Sequence, residues 1–163
     1  MLSLDKKQFL LAASRGASYI PLAKSWPADL ETPLTTWLKV GNDNPPGVLL
    51  ESVEGGETIG RWSVVASDPL WKVTVRGNEL TRFWRNGKEE KFQGSPIETL
   101  RKMLEPYKSV SLSGLPQLGQ LFGMWGYELI QWIEPSVPTH ELKDQDLPDG
   151  MWMFMDKILI FDQ

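Results

Sequence analysis

The sequence contains no cysteine. That removes disulfides, thiolate metal sites and a cysteine nucleophile together, and it fits a reducing compartment. Histidine is nearly absent as well. His140 is the only one, so a Ser-His-Asp triad would have to use it as base, and no Gly-x-Ser-x-Gly elbow accompanies it. No apolar run approaches the ~20 residues of a membrane span. The start, Met1-Leu2-Ser3-Leu4-Asp5-Lys6-Lys7, lacks the apolar core of a signal peptide. A cytoplasmic chain with no membrane partner is expected. Basic charge is also short, with 17 Lys and Arg against 21 Asp and Glu and a net charge of −4. A nucleic-acid partner would need clustered cations, so none is expected.

What is present describes an ordinary folded domain. The 163 residues are 41% hydrophobic and 23% charged, close to globular averages and enough for one core. The eight tryptophans are read as core packing and interface anchors.

Residues 3–15 read as a helix with Phe9, Leu10 and Ala13 on one face, Ser3 or Asp5 as cap and Gly16 as stop. Thr32-Pro33 opens a second helix through Lys39. After the breaker Gly41-Asn42-Asp43-Asn44-Pro45-Pro46-Gly47 the period changes to two, predicting strands at 48–53, 61–66, 71–76, 79–85 and 88–92. The last three form a meander through Gly77-Asn78 and Asn86-Gly87, the latter a type I′ hairpin signal. Ser95-Pro96-Ile97-Glu98 is a capping box opening a helix that buries Leu100, Met103 and Leu104. Beyond a Gly/Pro-rich linker at 113–119, Leu121 to Tyr127 suits a buried strand, Glu128 to Ile133 a helical turn, 135–150 a polar loop and 151–161 a last strand. The fold class is α+β, a mainly antiparallel sheet with helices packed on it. The chain stops inside strand-like sequence at Gln163, which reads as a piece of a longer polypeptide whose open sheet edge invites self-association.

Candidate chemistry is sparse. Gly55 to Trp62 has P-loop glycine spacing, but Arg61 and Trp62 replace the Lys and Ser/Thr that phosphate and magnesium require, so a turn between strands is the better account. Asp144 to Gly150 suggests a calcium loop, yet Pro148 and Met155 fall at ligand positions. His140-Glu141 is a weak metal signal. No catalytic set emerges. The informative stretch is Leu49-Leu50-Glu51-Ser52, a strand carrying a carboxylate and a hydroxyl into a glycine turn. Glu51 could pair with Arg61 across a hairpin and Ser52 with backbone, or both could hold a ligand. Period two puts Leu50 and Ser52 on one face and Glu51 on the other. One small ligand could meet all three only where the strand ends, twists or bulges.

Leu49-Leu50-Glu51-Ser52, Gly60-Arg61-Trp62-Ser63, Asp68-Pro69, Gly123-Met124-Trp125-Gly126-Tyr127-Glu128 and Leu147-Pro148-Asp149 occur in the order seen in the N-terminal domain of anthranilate synthase component I. Asp29 to Pro33 matches its usual lead-in. The chain thus resembles this group of chorismate-using enzymes over nearly its whole length. The resemblance implies that 1–163 is a single N-terminal regulatory domain, half of an interlocked two-sheet α/β/β/α architecture. The larger C-terminal domain would carry the magnesium site and the catalytic groups. The implied reaction is that of a lyase, chorismate and ammonia to anthranilate and pyruvate, with a glutamine amidotransferase subunit as ammonia source. This part alone would be inactive and hold no cofactor.

The same resemblance implies an L-tryptophan feedback site here, with Leu50 against the indole, Glu51 on the ammonium and Ser52 on the polar end. Gly60 to Pro69 is also similar to aminodeoxychorismate synthase component I of the folate branch, and Met124-Trp125 departs from the aromatic-then-Phe pattern of the glycine motif. A stand-alone amino-acid-binding module ending at Gln163 is the remaining alternative.

Overall fold

The computed structural model describes residues 4–41, 46–51, 61–110, 120–138 and 147–162. The linker at 113–119, the glycines at 55, 56 and 60, Ser52 and His140 lie outside the described residues. The chain forms two compact units, Met1–Leu30 with Leu100–Leu118, and Glu31–Thr99 with Gly119–Gln163.

In the first unit, α1 (Lys6–Ser14) opens on Asp5, whose carboxylate accepts from the Gln8 backbone N–H at 2.7 Å while the Gln8 side chain accepts from Asp5 N–H at 2.9 Å. This reciprocal cap satisfies two of the free donors at the helix start. Gly16, at φ +89°, stops the helix as expected. No α1 residue is buried, and the Phe9–Leu10 face is exposed. Ser18 accepts from Lys108 N–H at 3.0 Å, and Tyr19 meets Tyr107 edge-on at 5.8 Å.

The second unit is built on strands. Here α2 (Pro33–Val40) starts on a Thr32–Thr35 capping box with proline at the first turn. The strands are β1 (Gly47–Leu50), β2 (Trp62–Ser67), β3 (Trp71–Arg76), β4 (Glu79–Trp84), β5 (Glu89–Gln93), β6 (Leu121–Trp125), β7 (Gly150–Phe154) and β8 (Leu159–Asp162). They form a three-stranded sheet in the order β1-β2-β8 and a five-stranded sheet in the order β5-β4-β3-β7-β6. Every strand pairing is antiparallel, so the fold class is α+β. Helix α3 (Pro96–Leu104) begins in this unit, and its residues from Leu100 on belong to the first; Leu100 and Met103 are buried and Leu104 is half-buried. A 3-10 turn at Tyr127–Leu129 leads into α4 (Ile130–Ile133).

Three expectations change. The region 151–161 is two strands in different sheets, because the charged pair Asp156-Lys157 interrupts the apolar run and carries the chain from β7 to β8. Strand β6 is apolar yet not buried throughout, since it is the outer strand of its sheet and Met124 is 60% exposed. The Asn86-Gly87 turn is not type I′. Asn86 keeps a negative φ while Gly87 sits at +86°, and Gly87 N–H reaches Trp84 O while Trp84 N–H reaches Lys88 O, both at 2.9 Å. That is a type I turn followed by a glycine bulge.

One face of β3 and β4 is the core: Trp71, Val73, Val75 and Leu80 are fully buried. Its outer part is closed by Arg82, whose guanidinium lies 4.6 Å from the Trp84 ring and 5.2 Å from that of Phe92. Arg82 also donates to Glu90 Oε2 at 2.8 and 2.5 Å, and Trp84 Nε1 donates to the same oxygen at 2.7 Å. Hydrogen bonds from Lys88, Trp84 and Arg82 hold the Glu90 carboxyl down at about 2, below its ordinary 4.5. Its contribution is therefore present above pH about 4.5 and is lost as pH falls toward about 2. Glu90→Gln is expected to flatten the acid limb of a plot of urea midpoint against pH over that window. A limb as steep as that of the parent would contradict the geometry.

Candidate functional site

The three-stranded sheet carries the strand singled out by sequence. Its register pairs Val48 with Ala66 and Leu50 with Val64, and across β2 Val64 with Ile160 and Trp62 with Asp162. Cross-strand partners share a face, so Val48, Leu50, Trp62, Val64, Ala66 and Ile160 line one side. At one end of that side Val48 and Ala66 pack with Met153, Met155, Phe122 and Ile158, joining the two sheets through an apolar core.

The other end is less covered among the described residues. Leu50 is 49% exposed, beside buried Val64 and half-buried Ile160 and Trp62. Strand β1 stops at Leu50, and Glu51 follows, exposed, beyond the last paired residue. Ser52, the third residue, lies outside the described residues.

Arg61 does not pair with Glu51. It donates from Nε and Nη2 to Asp162 at 2.5 and 2.7 Å and stacks over Trp62 at 4.5 Å. The bonded pair raises the affinity of Arg61 for its proton and lowers that of Asp162. Sequence reading missed this fork because β8 lies 101 residues away. Arg61 immediately precedes β2, so a strand follows where a P-loop would need a helix, while the expected turn at 55–60 lies outside the described residues.

Several of the motif residues hold the frame. Asp149 accepts from Gly77 N–H at 2.6 Å with its side chain and from Gly126 N–H at 2.7 Å with its carbonyl, tying the β3–β4 turn to the end of β6. Asp68 occupies φ +57° and binds Lys157 and Arg85, with the Lys157 hydrogen bond chiefly responsible for its lowered pKa. Among the described residues there is no group of three or more Asp, Glu or His that could hold a metal ion. No helix among them is long and apolar enough to cross a membrane.

No protein-family model matches the chain. Curated relatives do. Anthranilate synthase component 1 of Synechocystis sp. is 49% identical over 100% of the chain and 32% of its own length. The proteins of that name from Acetivibrio thermocellus and Pseudomonas putida are 34% and 31% identical, over 88% and 98% of the chain and 29% and 33% of their own lengths. The chain thus spans about a third of the relatives it matches. A solved anthranilate synthase component I from Streptococcus pneumoniae aligns over 86% of the chain and 29% of its own, at 22% identity and a TM-score of 0.47, a likeness too slight to add to the fold described above.

Proposed function

The chain is related along its whole length to the N-terminal third of anthranilate synthase component 1, and from that premise we propose that it is the regulatory part of such an enzyme. The whole polypeptide converts chorismate and ammonia to anthranilate and pyruvate in the cytoplasm, in tryptophan biosynthesis. The ammonia comes from a glutamine amidotransferase subunit, and the catalytic groups and magnesium belong to the remainder of the polypeptide. This part supplies the L-tryptophan site and is inactive alone.

The observation that carries the site is the open end of the three-stranded sheet. Leu50 presents half its surface on an apolar row, and Glu51 offers a carboxylate just past the last backbone pair. An amino acid with an apolar ring needs both, the row for the ring and the carboxylate for the ammonium. Ser52 supplies the polar third contact. An effector shifts the enzyme only by its differential affinity for two arrangements, typically ~1–3 kcal/mol or about 5–150-fold.

The test uses the full-length polypeptide with chorismate, ammonium and magnesium, with and without L-tryptophan, the product being identified by chromatography. Anthranilate formation suppressed by tryptophan is expected. In Ser52→Phe the half-inhibitory concentration is expected to rise by about 5–150-fold with uninhibited turnover largely intact. Unchanged inhibition in that variant would remove the site. Aminodeoxychorismate formed regardless of tryptophan would move the protein to the folate branch and leave Leu50-Glu51-Ser52 a structural strand.

A further inference from the structure

The chain crosses between the two sheets twice, through residues 68–70 from β2 to β3 and through residues 155–158 from β7 to β8. Two side chains, Arg85 and Lys157, link the crossings. Arg85, in the β4–β5 turn, pairs through Nε with Asp68 Oδ1 at 2.9 Å, and its Nη2 donates to the Asp68 carbonyl. The same guanidinium takes Asp156 in a fork, Nη1 to Oδ2 at 3.1 Å and Nη2 to Oδ1 at 2.5 Å. Its backbone N–H donates to Leu70 O at 3.0 Å, and Lys157 closes the group on Asp68 Oδ2 at 2.7 Å. Two anions and two cations are thereby matched. Asp68 is held at φ +57°, the one non-glycine residue at positive φ among those described, a conformation that surrounding bonds must fix.

Partly exposed ion pairs of this kind add little stability, whereas a planar five-donor fork is well suited to fixing direction. We infer that Arg85 is a positioning residue, a clasp that holds the three-stranded sheet at a set angle to the five-stranded sheet. The clasp adds a directional polar link to the apolar packing that joins the two sheets at the Val48–Ala66 end, so that the Leu50 end keeps its angle to the five-stranded sheet. The regulatory half of this inference rests on the proposed tryptophan site; the clasp itself does not.

The experiment compares full-length wild type, Arg85→Gln and Arg85→Lys. Amide exchange without effector is expected to quicken by about tenfold in both variants at 68–70 and 155–158, with β3 and β4 unchanged. Lysine keeps the charge but cannot grip both crossings, so it should not rescue. Unchanged exchange at the crossings, equal acceleration throughout β3 and β4, or full rescue by lysine would each overturn the clasp. With tryptophan, the half-inhibitory concentration in Arg85→Gln is expected to change by about 2–30-fold at near-normal uninhibited turnover. An unchanged value beside quickened crossings would overturn the coupling. A wild type that tryptophan does not inhibit would instead refute the functional reading, and the exchange comparison would still decide the clasp.

Discussion

Trp71→Ala is expected to destabilise the chain by about 3–5 kcal/mol, read as a lowered urea midpoint at unchanged slope. Trp71 has no exposed surface. It stands at the start of β3, where the central strand meets both neighbours, opposite Trp84 on β4 and Phe154 on β7. Its ring stacks on Phe154 at 5.1 Å and 11°, and Arg82 lies 5.8 Å from its face. Truncation removes the largest fully buried side chain from a place where strands on either side are pinned by ladders and cannot close the void. A loss of that size is a large part of the ~5–15 kcal/mol that domains usually have. Trp71→Phe keeps the stacking partner and should recover more than half of the loss. A cost below about 1 kcal/mol for alanine would mean that the sheet relaxes around this position as few cores do.

Gly123→Ala comes next, with an expected cost of about 1–3 kcal/mol from overpacking. A methyl at Gly123 would lie 2.1 Å from the Met151 carbonyl oxygen and 2.7 Å from Trp152 Cα. Both are backbone atoms of the paired strand, so no side-chain rotation relieves the clash, and β6 must draw away from β7. The Trp125–Trp152 edge contact at 5.7 Å should loosen with it, lowering the near-ultraviolet circular dichroism signal. The neighbouring Met124 is mostly exposed, and Met124→Ala should stay within about 0.5 kcal/mol of the parent. Similar losses from both changes would contradict the placement of β6.

The difference between these neighbours shows where sequence reading reaches its limit. The apolar run from Leu121 signals a strand, but only long-range pairing puts that strand at an edge, with Met124 outward. Asn86-Gly87 announces a hairpin. The type I turn with a glycine bulge goes with long-range bonds that the local sequence does not display, from the Arg85 backbone and guanidinium to the crossings. Asp156-Lys157 in an apolar run was a readable break, and its meaning becomes plain once Asp68 and Arg85 are seen as their partners.

The candidate site divides in the same way. The strand through Leu50 follows from period two, a local property, whereas its pairing stops short of Glu51, which the sequence expectation places inside it. The partner of Arg61 does not follow, because Asp162 competes from a distant strand and offers two oxygens in the plane of the guanidinium. The motifs around Asp68, Gly123 and Asp149 stand out in the sequence without revealing that their work is geometric.

The order of the three-stranded sheet has a consequence for how the protein is made. β3, β4 and β5 are consecutive hairpins and can pair as soon as they emerge, but β2 waits for β8. Arg61 meets its carboxylate 101 residues later; at the ~5–20 residues per second of translation, that is a delay of roughly 5–20 s. Such distant pairing is also the slow kind in refolding. The nascent chain therefore spends seconds with β2 bare on the side that β8 will cover, and the strand that presents Leu50 gains that second neighbour of β2 only when Asp162 has been added.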